Sequence, residues 1–196
     1  MASKIELRAE KTAVMCMDYQ NGIVAAYAGQ GQGELLSRAS RVVEHARSLR
    51  MMVVYVHVGF RPGFPEVGSR NPLFSAIKSS PERQKMFEGG GSGIHAGVAP
   101  KDGDIVVMKH RVSAFHGTDL DMILRSNEID ALVLFGIATS GVVLSTLVDA
   151  ADRDFRIFVI KDCCADRDAE LHSCLIERYF PNRGTVVDAD EFMKAA

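Results

Sequence analysis

The chain has 196 residues, 47% of them hydrophobic and 24% charged, with a formal net charge of -2. That length suffices for a single domain, residues 1–196, with a core that needs neither disulfides nor a structural metal. Scattered Lys and Arg in a near-neutral chain argue against nucleic-acid and membrane partners, which require clustered basic charge. No stretch approaches the roughly eighteen consecutive apolar residues of a membrane span. The opening Met1-Ala2-Ser3-Lys4-Ile5-Glu6-Leu7-Arg8 lacks the apolar core of a secretory signal. Cys16, Cys163, Cys164 and Cys174 show no metal or redox spacing. The expectation is a reduced cytoplasmic protein in which Cys16 and Cys174 are buried thiols.

Apolar runs predict strands at 12–17, 51–58, 104–108, 131–135, 155–160 and 185–187. Their near-continuous hydrophobicity is that of a parallel sheet covered on both faces. Between the first two, Leu35, Leu36, Ala39, Val42, Val43, Ala46 and Leu49 recur at helical spacing. Residues 59–103 are mostly irregular, with room for one short helix and a flexible hinge at Gly89–Gly91. Thr118 is placed to cap a further helix, with acids in its first turn. Two more helices are expected over 140–152 and 168–180, the latter stopped by Pro181. This βαβα rhythm predicts a three-layer α/β/α sandwich around a six-stranded, mainly parallel sheet, of Rossmann-like type. Such sheets bind ligands beyond the carboxyl ends of their strands.

Three strand ends carry the chemistry. Asp18 follows the first strand and Lys109 the third, an acid and a base placed on one rim. After the fourth comes Gly136-Ile137-Ala138-Thr139-Ser140-Gly141-Val142-Val143-Leu144-Ser145-Thr146, a strand-to-helix turn. Turns of this kind aim backbone N–H groups and a positive helix end into a cleft. Acyl transfer at such a turn would use a thiol or hydroxyl at the start of the helix, where Val142 has an isopropyl group. The bland readings are a turn-capping Asp18, a solvated Lys109 and a Val142 that is simply core. Cys163 and Cys164 follow the fifth strand, and packing of small thiols explains them better than nucleophilic duty.

Four fragments in order, Asp18-Tyr19-Gln20-Asn21, the Lys-x-x-x-Ser-Ala-Phe-x-Gly-Thr-x-Leu run at Lys109–Leu120, Gly136–Thr139, and Thr146 with Asp149-Ala150, resemble the isochorismatase-like hydrolases, often called cysteine hydrolases. The resemblance implies a strand order of 3-2-1-4-5-6 and a non-proline cis peptide near Ile137–Ala138. It also implies a catalytic set of Asp18, Lys109 and a cysteine whose position Val142 occupies. The turn Ile137, Ala138 and Thr139 would hold an oxyanion through N–H groups that include those of Ala138 and Val142. With valine at 142 the chemistry expected is that of isochorismatases proper. There the aspartic acid protonates a vinyl ether and water adds, with Lys109 positioning acid and substrate.

Gln20, Ile23, Arg61 and Phe115 are expected to contact a small carboxylated or ring-containing substrate, Arg61 as a carboxylate clamp. Metal-binding nicotinamidases of the family carry Asp-x-His after strand two; here His57-Val58-Gly59-Phe60-Arg61 has no acid, so neither metal nor cofactor is expected. The resemblance further implies a homodimer or homotetramer. The competing readings are a silent relative that binds small molecules or partners without reacting, and covalent chemistry through another cysteine.

Overall fold

Strand β1 (Thr12–Met17) and strand β4 (Ala131–Gly136) are buried at every residue, which places them at the centre of the sheet. The computed structural model describes residues 7–195, so most of the segment inspected for a leader lies outside it. With β2 (Met52–Val58), β3 (Ile105–Lys109), β5 (Arg156–Ile160) and β6 (Thr185–Val187) they form one sheet in the order β3-β2-β1-β4-β5-β6. Every pairing is parallel. The chain winds outward from β1 to β3, then crosses to β4 and winds the other way. The switch point between β1 and β4 is where such a sheet opens a crevice at its carboxyl edge.

Helices close both faces. Helix α2 (Gln32–Ser48) buries Leu35, Leu36, Ala39, Val42, Val43 and Ala46, the stripe that helical periodicity requires. It lies on β1 and β2 and against α8 (Ala189–Ala195), while α6 (Leu144–Ala151) lies against β5. No helix among the described residues is long and apolar enough to cross a membrane.

Helix ends differ from expectation where side-chain bonding overrides periodicity. Thr118 is not the cap of α5 (Leu120–Ser126); that position is Asp119. Thr118 instead donates through Oγ1 to the Ala114 carbonyl at 2.7 Å. The helix expected over 140–152 begins as a π-type turn, Thr139–Val143, with non-helical backbone at Gly141. The helix expected over 168–180 is only α7 (Ala169–Cys174), capped by Asp168 at 2.9 Å to the Leu171 N–H. Beyond it the coil widens over Leu175–Tyr179 and tightens over Phe180–Asn182, which takes Pro181 into its first turn. Short apolar spacing cannot show these changes of winding. The brief α1 (Asn21–Tyr27) and α8, seven residues each, are likewise too short for a helical period to register.

The 59–103 segment holds two helices rather than one, α3 (Pro72–Lys78) and α4 (Pro81–Gln84). Each starts with proline after a side-chain cap, Asn71 and Ser80 respectively. Phe64, Val67, Phe74 and Ile77 form a small core of their own. Phe60 gathers it, with ring centroids 5.0 Å from Phe64 and 5.8 Å from Phe74 and Phe87. Gly89–Gly91 is a 3-10 turn whose Gly90 carbonyl accepts from Asn21 at 2.9 Å.

Gly136 ends β4 with no room for a side chain: a Cβ there would stand 2.6 Å from the Met17 carbonyl oxygen. That oxygen is backbone and cannot step aside. Gly136→Ala is expected to cost about 1–3 kcal/mol through overpacking, read from the midpoint of urea unfolding.

Candidate active site

Asp18 stands one residue past β1 with φ 57, in the left-handed region that Asp enters more readily than most residues. Its N–H donates to the Val56 carbonyl at 2.8 Å, holding it against β2 while its side chain turns inward. Lys109, the last residue of β3, lies two strands away, about 10 Å by strand spacing. Only a long, flexible side chain bridges that gap across the end of β2, and lysine supplies one. Its Nζ reaches Asp18 Oδ2 at 2.9 Å and donates to the Arg111 carbonyl at 3.1 Å.

Both side chains are removed from solvent, at 7% exposure for Asp18 and 3% for Lys109. Burial raises the Asp18 pKa above its ordinary 3.8 and outweighs the opposing pull of Lys109. Asp18 Oδ1 is buried and has no hydrogen-bond partner among the described residues. The pair is therefore a carboxyl with one oxygen anchored and the other unused, in surroundings that favour holding a proton. Such a group is fitted to deliver a proton to something placed against it.

Next to Asp18 on the rim is the turn after β4. Met17 and Gly136 are register partners, and the Ile137 N–H donates to the Met17 carbonyl at 3.2 Å. The Ile137–Ala138 peptide is cis, where the resemblance placed it. Val142 follows the irregular Gly141 and is 2% exposed.

The turn is braced from the β5 side by residues that sequence reasoning missed. The Thr139 N–H donates to the Ala165 carbonyl at 2.9 Å and the Ser140 N–H to Asp166 at 2.7 Å. Thr139 Oγ1 meets His172 Nδ1 at 2.8 Å. Burial lowers the His172 pKa, with Asp166 opposing. Asp166 and His172 lie 26 and 33 residues beyond their partners, and no local spacing announces such contacts. Two fragments noted in the sequence also prove to be one clamp. Thr146 Oγ1 accepts from the Ala114 N–H at 3.0 Å, and Ser113 donates to Asp149, tying the loop after β3 to α6.

The expected substrate contacts fare unequally. Ile23 is buried on α1. The Gln20 amide is spent on backbone: it donates to the Val58 and Ser92 carbonyls at 2.9 and 2.8 Å and accepts from the Val58 N–H at 2.8 Å. Arg61 has a side chain 66% exposed and is held by Glu66 at 2.5 Å. Phe115 stacks on Phe155 at 6.0 Å, with the Arg153 guanidinium 4.8 Å from its centroid.

Cys174 is exposed, contrary to the buried thiol expected, because the outer side of short α7 faces solvent. Cys16, Cys163 and Cys164 are buried. Burial pushes all three thiols up, Cys164 to about 12, so none is a ready thiolate near neutrality. A thiol reagent is expected to titrate one cysteine in the native chain and four after unfolding. Among the described residues no group of three or more His, Cys, Asp and Glu side chains is arranged to hold a metal.

The family model for the isochorismatase domain matches residues 12–191. An uncharacterised isochorismatase family protein of Escherichia coli O157:H7 is 30% identical over 97% of this chain and 99% of its own. A maleamate amidohydrolase of Pseudomonas putida is 27% identical over 94% of this chain and 86% of its own. A ureidoacrylate amidohydrolase of Methylobacterium radiotolerans is 29% identical over 97% and 81%. Among solved structures, an isochorismatase family protein from Burkholderia thailandensis superposes with TM-score 0.84 and 27% identity over 98% of both chains. The N-carbamoylsarcosine amidase of Thermoplasma acidophilum gives TM-score 0.72 and 31% identity over 92% of this chain and 97% of its own.

Proposed function

Since the chain belongs to the isochorismatase family and is a hydrolase, we propose that it cleaves a small carboxylated or ring-containing metabolite without a cysteine nucleophile. In this reading Val142 occupies the place of the family thiol, so the electrophile is met by water. Asp18 supplies the proton. The observation that carries the reading is its free, buried Oδ1, on a carboxyl whose other oxygen Lys109 holds.

For a vinyl ether the steps balance simply. The Asp18 proton adds to the terminal alkene carbon, leaving an oxygen-stabilised cation. Water bonds to that cation and returns a proton to Asp18. The resulting hemiketal then breaks its C–O bond to give a ketone and an alcohol. Lys109 keeps the carboxylate form of Asp18 tolerable between proton loss and recovery. Of the turn's N–H groups, those of Ile137 and Thr139 are taken by the Met17 and Ala165 carbonyls, which leaves that of Ala138 to face negative charge on the substrate. Maleamate and ureidoacrylate, named for two relatives, are short unsaturated carboxylic acids, which favours a carboxylate-bearing substrate here too.

The test is a turnover panel of vinyl ethers, amides and ureides, those two compounds included, with wild type and Asp18→Asn. Hydrolysis by wild type that disappears in the variant supports the reading. If no compound is turned over faster by wild type than by the variant, the Asp18-dependent hydrolytic reading fails.

A further inference from the structure

A cleft of about 680 Å³ opens beside the acid–ammonium pair without being lined by either of its members. Its walls come from α3, from residues 111–113 after β3, and from the outer face of α6. That volume is of the size that takes a small organic ligand. Phe74, Val112, Leu144 and Val148 give it an apolar lining.

Its two formally charged lining side chains are in opposite situations. Asp149 is engaged, by Ser113 and by Arg153 at 3.8 Å. Arg111 has no carboxylate partner among the described residues, because the nearby Glu66 carboxylate is taken by Arg61. Its guanidinium is nonetheless fixed: it donates to the His110 and Glu66 carbonyls at 2.6 and 2.9 Å and lies 5.5 Å from the Phe74 centroid. A pre-positioned, uncompensated guanidinium is matched by a carboxylate, which accepts from two of its N–H groups at once. The Ser145 hydroxyl, in the same lining, is unused by any described residue and offers a further donor.

We propose that this cleft binds a small organic acid, an apolar or unsaturated body ending in a carboxylate, with Arg111 as the anchor of the anion. The cleft and the reacting pair share a peptide: the Arg111 carbonyl accepts from Lys109 Nζ while the Arg111 side chain faces the ligand. The proposal rests on the hydrolytic reading only in making this acid the substrate. Binding itself is a separate property. Arg61, the clamp expected from sequence, is displaced in this role by a residue that is less exposed and free of carboxylates.

The test is a titration of the isotopically labelled full chain with crotonate and benzoate, and with the neutral isosteres crotonamide and benzamide, followed by amide resonances. The carboxylates should saturably shift Val112, Ser113, Ser145 and Val148, and bind roughly tenfold or more tightly than the amides. Arg111→Gln should abolish that preference and Arg111→Lys restore part of it. If Arg111→Gln fails to fold, the acid-to-amide ratio in wild type decides the matter. Equal binding of acid and amide, shifts that persist in Arg111→Gln, or no saturable shift at the cleft overturns the proposal. Failure of the hydrolytic reading looks different: Arg111-dependent binding would remain while no compound showed Asp18-dependent turnover.

Discussion

Asp18→Asn is expected to lower turnover by roughly 10²–10⁴-fold, the usual contribution of a positioned proton donor. Asparagine keeps the shape of the side chain and removes the acid. The pH profile separates loss of chemistry from loss of structure. Asp18 titrates above 3.8 because burial disfavours its charge, so activity that needs its protonated form declines as pH rises through the folded value. That declining limb should be present in the wild-type pH–rate profile and absent from the residual activity of the variant. An unchanged rate in Asp18→Asn would remove the acid from the mechanism.

Lys109→Met leaves the Asp18 carboxylate buried with its ammonium partner gone, a change expected to cost about 3–5 kcal/mol near neutral pH. Calorimetry or urea unfolding measures the loss. Asp18→Asn combined with Lys109→Met should recover most of it, since two neutral side chains need no mutual compensation. The sign of the pH dependence follows from the raised Asp18 pKa. The folded state holds this proton more tightly than the unfolded chain does. Its stabilising contribution is complete below 3.8 and is lost as pH rises through the folded value. In Lys109→Met the lowering influence of the ammonium is gone, so the window reaches to higher pH and the decline is larger. A Lys109→Met chain as stable as wild type at every pH would mean that the pair is not buried together in solution.

The core of the fold is legible in the chain because it depends on local pattern. Strands buried on both faces must be apolar at nearly every position, and all six strands fall within a residue of where such runs put them. The stripe of α2 is equally explicit. Asp18 and Lys109 stand out for a similar reason, since an acid and a lysine ending apolar strands belong on the carboxyl rim. What the sequence cannot express is distance across the rim. Only the order of the strands brings Lys109 over β2 to Asp18, leaves Oδ1 without a partner, and sets the turn beside both.

The surroundings of the site were decided by tertiary contacts alone. Gln20 looks like a polar pocket residue until its amide is seen to knit β1 to β2 and to Ser92. Arg61 and Arg111 are both loop arginines near strand ends, and nothing in their own neighbourhoods ranks them. Glu66 neutralises one of them and offers the other only a carbonyl. Composition and periodicity record what each residue prefers to be near, averaged over all folds. Which partner it meets is set when the chain closes, and the charge left uncompensated is visible only then.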